Sequence, residues 1–439
     1  MTNNHYDLLI KNGIIVTVDK VNTIIDTGFI AVKDQQIACI DKSEEVHKFS
    51  ADKIIDAENG IIMPGLVNTH CHSPMALFRG LADDMALMTW LNDYMFKAEA
   101  KYINPENTRL GALISCAEML LSGTTLFCDG YFHENVVAEA VQETGLKGVL
   151  GQGVIDFPAP GVPDPLQNVH YALDYVNTLK DKYKRITPSI FCHSPYTCSE
   201  KTLKAAKKAA NESGVLFQIH VSETQGENDQ ITNEHGVSPV QHLNNLGILD
   251  KSTLLVHSVW VDEADIDIIK KSGAAVSHCP ESNMKLASGI APVNEFLKAG
   301  ITTGLGTDGC ASNNNLDMFS EMDSAAKLQK VNTLDPSAAD ALSVLRMATI
   351  NGACAIGMGS ETGSLEVGKK ADLIIIDTNK PHLIPMYNPV SHIVYAVSGG
   401  DVRDVFIDGE QLVKQGKLLS TDVDDIISKA RAFASDVSI

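Results

Sequence analysis

Through the middle of the chain, apolar runs of four to eight residues recur, separated by stretches with a helical period. Eight can be marked, at residues 61–70 (IIMPGLVNTH), 123–129, 147–155, 187–194, 215–223, 253–260, 274–280 and 302–309. The intervening stretches are amphipathic, as in SEKTLKAAKKAANESG, with lysines on one face and alanine and leucine on the other. Strands that are apolar throughout must be covered on both faces, which is the condition of parallel strands flanked by helices. Eight such alternations predict an α/β chain, most simply a closed (β/α)8 TIM-type barrel, with an open doubly wound sheet as the alternative.

Both ends of the chain have a different texture. DLLIKNGIIVTVD, GFIAVKDQQIACID and KIIDAENG read as short strands separated by turns, and the pattern returns after Gly363 in residues 371–377, 392–398 (HIVYAVS) and 402–419. The two ends are expected to form one small β-sandwich domain, residues 1–62 plus 363–439, around a catalytic barrel of residues 63–362. The segment between the first two barrel strands, residues 73–122, is long enough to be either a lid over a pocket or an extra packing helix on the rim.

Composition narrows the function. With 44% hydrophobic and 21% charged residues the chain is an ordinary globular one. Thirty-five basic against 55 acidic side chains leave a net charge of −20, the wrong sign for holding a phosphate backbone, so no nucleic-acid partner is expected. No run reaches the ~18 apolar residues of a membrane span. The opening MTNNHYDLLIKNG has no signal-peptide core, and the nine cysteines are scattered without a CxxC pair. A reducing cytoplasm is therefore expected, with the cysteines acting as small buried hydrophobes.

The polar residues at the strand ends carry the chemistry. His70 and His72 close the first run and share a side of the strand, since side chains alternate. His193 closes the fourth and His220 the fifth, with Glu223 three residues on. His257 lies in the sixth, His278 in the seventh and Asp308 in the eighth. Six of the 14 histidines thus fall at the carboxyl ends of five strands, where barrel enzymes place their reacting groups. Imidazole pairs with a further imidazole and a carboxylate form a nitrogen/oxygen site suited to Zn²⁺ or Fe²⁺. The other histidines, His235 and His242 among them, are read as structural or surface residues. Residues 304–309 match G-x-G-x-x-G in letters. They lead into the turn-like ASNNN rather than a helix, so these glycines are expected to let backbone pass close to the metal.

The segments PGLVNTHCH, HSPYTCS, IHVSET, HCPESNMKLASGIAPV and GTDGCASNNNLD, in this order, resemble the amidohydrolase superfamily. Within it they are most similar to the 5-methylthioadenosine/S-adenosylhomocysteine deaminase branch. The resemblance implies one divalent metal, zinc or iron(II), on His70, His72, His220 and Asp308. It makes Glu223, His257 and Asp308 catalytic: Glu223 moves the proton, His257 acts on the attacking water and steadies the growing oxyanion, and Asp308 accepts the hydroxyl proton. Substrate contacts fall on Glu99, His193, Glu223 and Asp308. Where binuclear members carry a bridging lysine, this chain has Cys192-His193-Ser194, which implies a single ion. The implied reaction is hydrolytic deamination of 5'-methylthioadenosine, S-adenosylhomocysteine or adenosine, by a homo-oligomer acting on a small nucleoside. A triazine or chloro-hydrolase and a guanine or pterin deaminase are the alternatives on the same ligand set. Gln152 stands where some members have an arginine that reaches the distal part of the substrate, which weakens the case for a charged tail. His278 is expected to orient neighbours without touching metal, and Trp90 to wall the pocket or pack.

Overall fold

The computed structural model describes residues 5–437. Eight parallel strands follow one another around a barrel: Leu66–Cys71, Thr124–Tyr131, Lys147–Val154, Ile186–Cys192, Phe217–Val221, Thr253–His257, Ala275–His278 and Thr303–Leu305. Nearly every residue of these strands is buried, as two-sided coverage demands. Helices lie between the strands and bury one stripe each. In Glu200–Ser213, for example, Leu203, Ala206, Ala209 and Ala210 face inward, and the Ser199 hydroxyl caps the first turn by accepting from the Thr202 amide.

The eighth strand does not run a regular ladder with the first. The gap is bridged by the Asp308 amide donating to the His70 carbonyl at 3.0 Å, and by Asn68 exchanging hydrogen bonds with Thr307 at 2.8 and 3.1 Å. The glycines of the G-x-G-x-x-G run explain the close approach. A Cβ on Gly304 would lie 2.4 Å from Thr69 Cγ2, and one on Gly306 would lie 2.8 Å from the His70 amide nitrogen. Backbone proximity to the strand that carries His70, not nucleotide binding, is what these positions serve.

The chain ends supply a nine-stranded sheet, built from His5–Val16, Ile24–Lys33, Gln36–Lys42, Ser50–Asp56 and Ile61–Pro64 with Leu373–Ile376, Val402–Ile407, Glu410–Lys414 and Lys417–Leu418. It folds over on itself: the Ile37 amide bonds Lys369, and Ala371 bonds Gln35. This encloses Ile10, Ile30, Ile62, Leu373, Ile375 and Phe406 in one apolar cluster.

Two elements differ from what the hydrophobic pattern predicts. The run 61–70 is not one barrel strand: Ile61–Pro64 pairs antiparallel with Leu373–Ile376, and only Leu66–Cys71 enters the barrel. The break falls at Gly65, where a Cβ would collide with Thr125 Oγ1 at 2.1 Å. HIVYAVS is not a strand but largely the helix Pro389–Tyr395. Asn388 caps that helix and a proline opens it, and these start signals outweigh the β-branched run that follows.

Sheet and barrel are tied through buried charge. Lys147, at the amino end of the third barrel strand, donates to both Asp372 oxygens at 2.8 and 2.7 Å and pairs with Asp408 at 2.7 Å. Burial alone would raise the Asp408 carboxyl, but Lys147 and Arg185 hold it below its usual range. Lys147→Ala leaves the buried Asp372 carboxylate without its cation and Asp408 with Arg185 alone, and is expected to cost about 3–5 kcal/mol, read as a lowered denaturant midpoint. An unchanged midpoint would deny the junction its role.

The long segment after the first strand carries a 3₁₀ turn Ser73–Phe78, a π-helical turn Trp90–Met95 and the helices Phe96–Tyr102 and Pro105–Leu121. It packs Met75, Phe78, Leu87, Trp90 and Met95 together beside the strand ends, with Phe433 of the closing helix Val423–Asp436 against Phe78 and Tyr102. Among the described residues no helix is long and apolar enough to cross a membrane. Seven of the nine cysteines are buried and unpaired; Cys39 is half-buried and Cys354 exposed, outside the buried role expected of them.

Candidate active site

At the carboxyl ends of the strands, His70, His72, His220 and Asp308 bring one ligand atom each to within 4.8 Å of one another. His70 Nε2 lies 3.1 Å from His220 Nε2, and Asp308 Oδ1 lies 3.4 and 3.2 Å from the Nε2 atoms of His70 and His72. Second contacts fix the directions of these side chains. His72 Nδ1 meets the Gly130 carbonyl at 2.5 Å, which leaves Nε2 free as a donor atom. Asp308 Oδ2 accepts from Ser282 and Ser312 at 2.7 and 2.8 Å, so only Oδ1 points inward. Asp308 has a φ of +61°, a left-handed conformation aspartate tolerates better than most residues.

Burial alone would raise the Asp308 carboxyl, but hydrogen bonds from His70 and His72 hold it well below its usual range. Burial pushes His70 down to about 4 and His220 well below the usual imidazole range. Burial would lower His72 as well, but the Asp308 carboxylate and the Gly130 carbonyl raise it, so a cation entering beside Asp308 displaces a proton from His72 and meets His70 and His220 already favouring the neutral form. Three converging nitrogens, one oxygen and no lysine fit a single ion in a nitrogen-rich site.

Around these four residues lie the other groups singled out in the sequence. Glu223 is buried, and burial, only partly offset by His257, raises its carboxyl. Its amide and that of Ser222 each donate at 2.8 Å to Glu227, which pins the backbone that aims the Glu223 side chain. His257 Nε2 stands 3.8 Å from Glu223 Oε2. On the far side of the ring, Nδ1 meets Asn283 Oδ1 at 2.9 Å, so Nδ1 carries the proton and Nε2 faces Glu223 as an acceptor. Burial pushes His193 down to about 3, and its Nδ1 bonds Thr197 at 2.9 Å.

Glu99, on the helix Phe96–Tyr102, accepts from the Tyr131 hydroxyl at 2.5 Å. Burial lifts it to about 7 against the opposing pull of Tyr131 and His72. Tyr131, Asn283 and Glu227 are not evident in the sequence. The signals it does hold are the place of Tyr131 at the end of the second strand and of Glu227 one helical turn after Glu223.

His72, Glu99, Tyr131, His193, His220, Glu223, His257 and Asp308 face a cavity of about 410 Å³ whose walls include Trp90, Phe96, Phe157, Pro160 and Leu286. Among the described residues none that lines it is lysine or arginine. Trp90 is therefore a wall residue as well as a packed one. Gln152 is not in the wall: its amide oxygen accepts from the Glu134 backbone at 3.4 Å, and Gly153, Val154 and Ile155 line the cavity instead. His278 is fully buried outside the four-donor cluster, and neither of its ring nitrogens has a hydrogen-bond partner, so it orients no neighbour by that means.

Residues 61–412 match the model of the Amidohydrolase family. Over 441 residues, covering all of both chains, the sequence is 43% identical to a 5-methylthioadenosine/S-adenosylhomocysteine deaminase of Syntrophobacter fumaroxidans. It is 42% identical to a 5'-deoxyadenosine deaminase of Methanopyrus kandleri, across 98% of this chain and 99% of the relative. Among solved structures, an adenosine deaminase from Xanthomonas campestris with bound zinc superposes with a TM-score of 0.96 at 34% identity, covering 98% of each chain.

Proposed function

Because the chain belongs to the amidohydrolase family, we propose that it is a hydrolytic deaminase of adenosine-type nucleosides, releasing ammonia and leaving the inosine analogue. The observation that carries this reading is the four-donor cluster at the floor of an aromatic-walled cavity, with a buried carboxyl, Glu223, beside it. His70, His72, His220 and Asp308 would hold one divalent cation, zinc or iron(II). When bound, such an ion polarises the water next to it and lowers its pKa toward neutrality.

The protein's own groups do the rest. Glu223, its carboxyl raised by burial, takes a proton from the attacking water and delivers it to the ring nitrogen beside the amino-bearing carbon, which makes that carbon electrophilic. His257 Nε2, an acceptor as placed, orients the attacking water. A proton shared from that water lets the same nitrogen donate to the growing oxyanion. Asp308 takes the hydroxyl proton of the adduct and passes it to the amino group, which leaves as ammonia. His193, neutral and held through Nδ1, presents Nε2 to a ring nitrogen. Glu99 accepts from the neighbouring ribose hydroxyls, a pairing that suits one carboxylate with two oxygens.

The same cavity sorts substrates by their 5' group. Among the described residues its wall has no lysine or arginine to meet an α-carboxylate, while Phe157, Pro158, Pro160 and Pro163 offer apolar contact. The kcat/KM for 5'-methylthioadenosine or 5'-deoxyadenosine should exceed that for S-adenosylhomocysteine by about 10-fold or more. An ammonia-release assay across these nucleosides, with guanine, a pterin and a chlorotriazine alongside, tests both the class and the ranking. Turnover confined to the last three would reject the proposed function, and equal rates on the nucleosides would reject only the ranking.

A further inference from the structure

We propose that Glu200, His235 and His242 form a second metal site, on the outer surface of the barrel, for a divalent transition cation. Three different helices bring the donors together: Glu200 opens Glu200–Ser213, His235 closes Gln225–His235, and His242 lies in Pro239–Asn245. One ligand atom from each lies within 4.8 Å of the others. The rings of His235 and His242 stack with centroids 3.9 Å apart and planes 22° from parallel.

Two imidazoles and one carboxylate select ions of the zinc, nickel and copper type over magnesium or calcium, which take oxygen ligands. Zinc–ligand distances of about 2.0–2.2 Å require the donors to draw together by roughly an ångström. Glu200 and His235 are exposed and can make that movement, while His242 is buried and serves as the fixed member. Among the described residues the ion pair at the site is weak, an exposed Lys204 ammonium 3.4 Å from Glu200 Oε2.

This site is separate from the cavity. The helix Gln225–His235 begins beside Glu223 and carries His235 at its far end, about 15 Å away along its axis. With three protein donors the ion keeps open positions for water and exchanges with the medium.

Equilibrium dialysis of the metal-loaded enzyme against rising Zn²⁺, with bound zinc counted per chain, tests the proposal. The wild type should take up a second equivalent. His235→Ala and Glu200→Gln should stop at one, with deaminase activity unchanged because neither residue lines the cavity. His220→Ala should lose the first equivalent and retain the second, which keeps this result distinct from failure of the catalytic reading. Saturation of the wild type at one ion, or a second ion retained by His235→Ala, would overturn the inference.

Discussion

Glu223→Gln should lower kcat for ammonia release by ~10²–10⁴ while leaving metal content and fold unchanged. The amide keeps the size of the side chain and the backbone anchors on Glu227, at 2.8 Å from the Ser222 and Glu223 amides, so the site keeps its shape. What disappears is the group proposed to carry a proton to the purine ring. Glutamine cannot shuttle it, and no other carboxyl stands in the same place: Asp308 is held ionised by His70 and His72 and its Oδ2 is occupied by two serines. Because binding is untouched, the loss should appear in kcat and kcat/KM alike, with KM nearly constant. A variant retaining near-full turnover would remove Glu223 from the mechanism.

His220→Ala should be more severe, for a different reason. His220 contributes one of three converging imidazoles, with its Nε2 3.1 Å from that of His70. Removing it leaves two nitrogens and one oxygen, and metal affinity should fall by at least ~100-fold, beyond the loss typical of changes to residues that merely support a ligand. Ammonia release should fall with the bound metal. Metal content after dialysis and activity at added Zn²⁺ should track each other, so activity that persists without retained metal would show that the cluster serves another purpose.

Much of the fold and of the metal cluster is legible in the sequence, because barrel chemistry follows strand order. His70, His72, His220, His257 and Asp308 sit at the ends of apolar runs, and a parallel barrel necessarily brings such ends to one face. Contacts that depend on how side chains turn after the strand ends are not legible there. The Tyr131–Glu99 bond joins the second strand to an insertion helix 32 residues away in sequence, and the His257–Asn283 bond joins the end of the sixth strand to the short helix Pro280–Lys285. The burial of Gln152 away from the cavity, with the glycine and apolar residues after it forming the wall, is equally a matter of local twist.

Two local departures from the hydrophobic pattern have clear causes. An apolar run can change sheets midway, as residues 61–70 do at Gly65, because both halves satisfy the same pattern. HIVYAVS has strand-like composition, but its fate is set upstream by Asn388 and Pro389. His235 and His242 give no sign of their meeting for a related reason. Only the packing of three helices puts them beside Glu200, and no spacing within one element encodes that contact.

The proposed function requires one cation held by His70, His72, His220 and Asp308, and every other role proposed for the site depends on it. The direct measurement strips metal with a chelator, verifies by circular dichroism that the chain stays folded, and follows ammonia release from 5'-methylthioadenosine as Zn²⁺ is restored. The stripped enzyme should show only background turnover, and recovery should rise in proportion to bound zinc, complete at one ion per chain. Undiminished turnover by the stripped, folded enzyme would contradict that requirement.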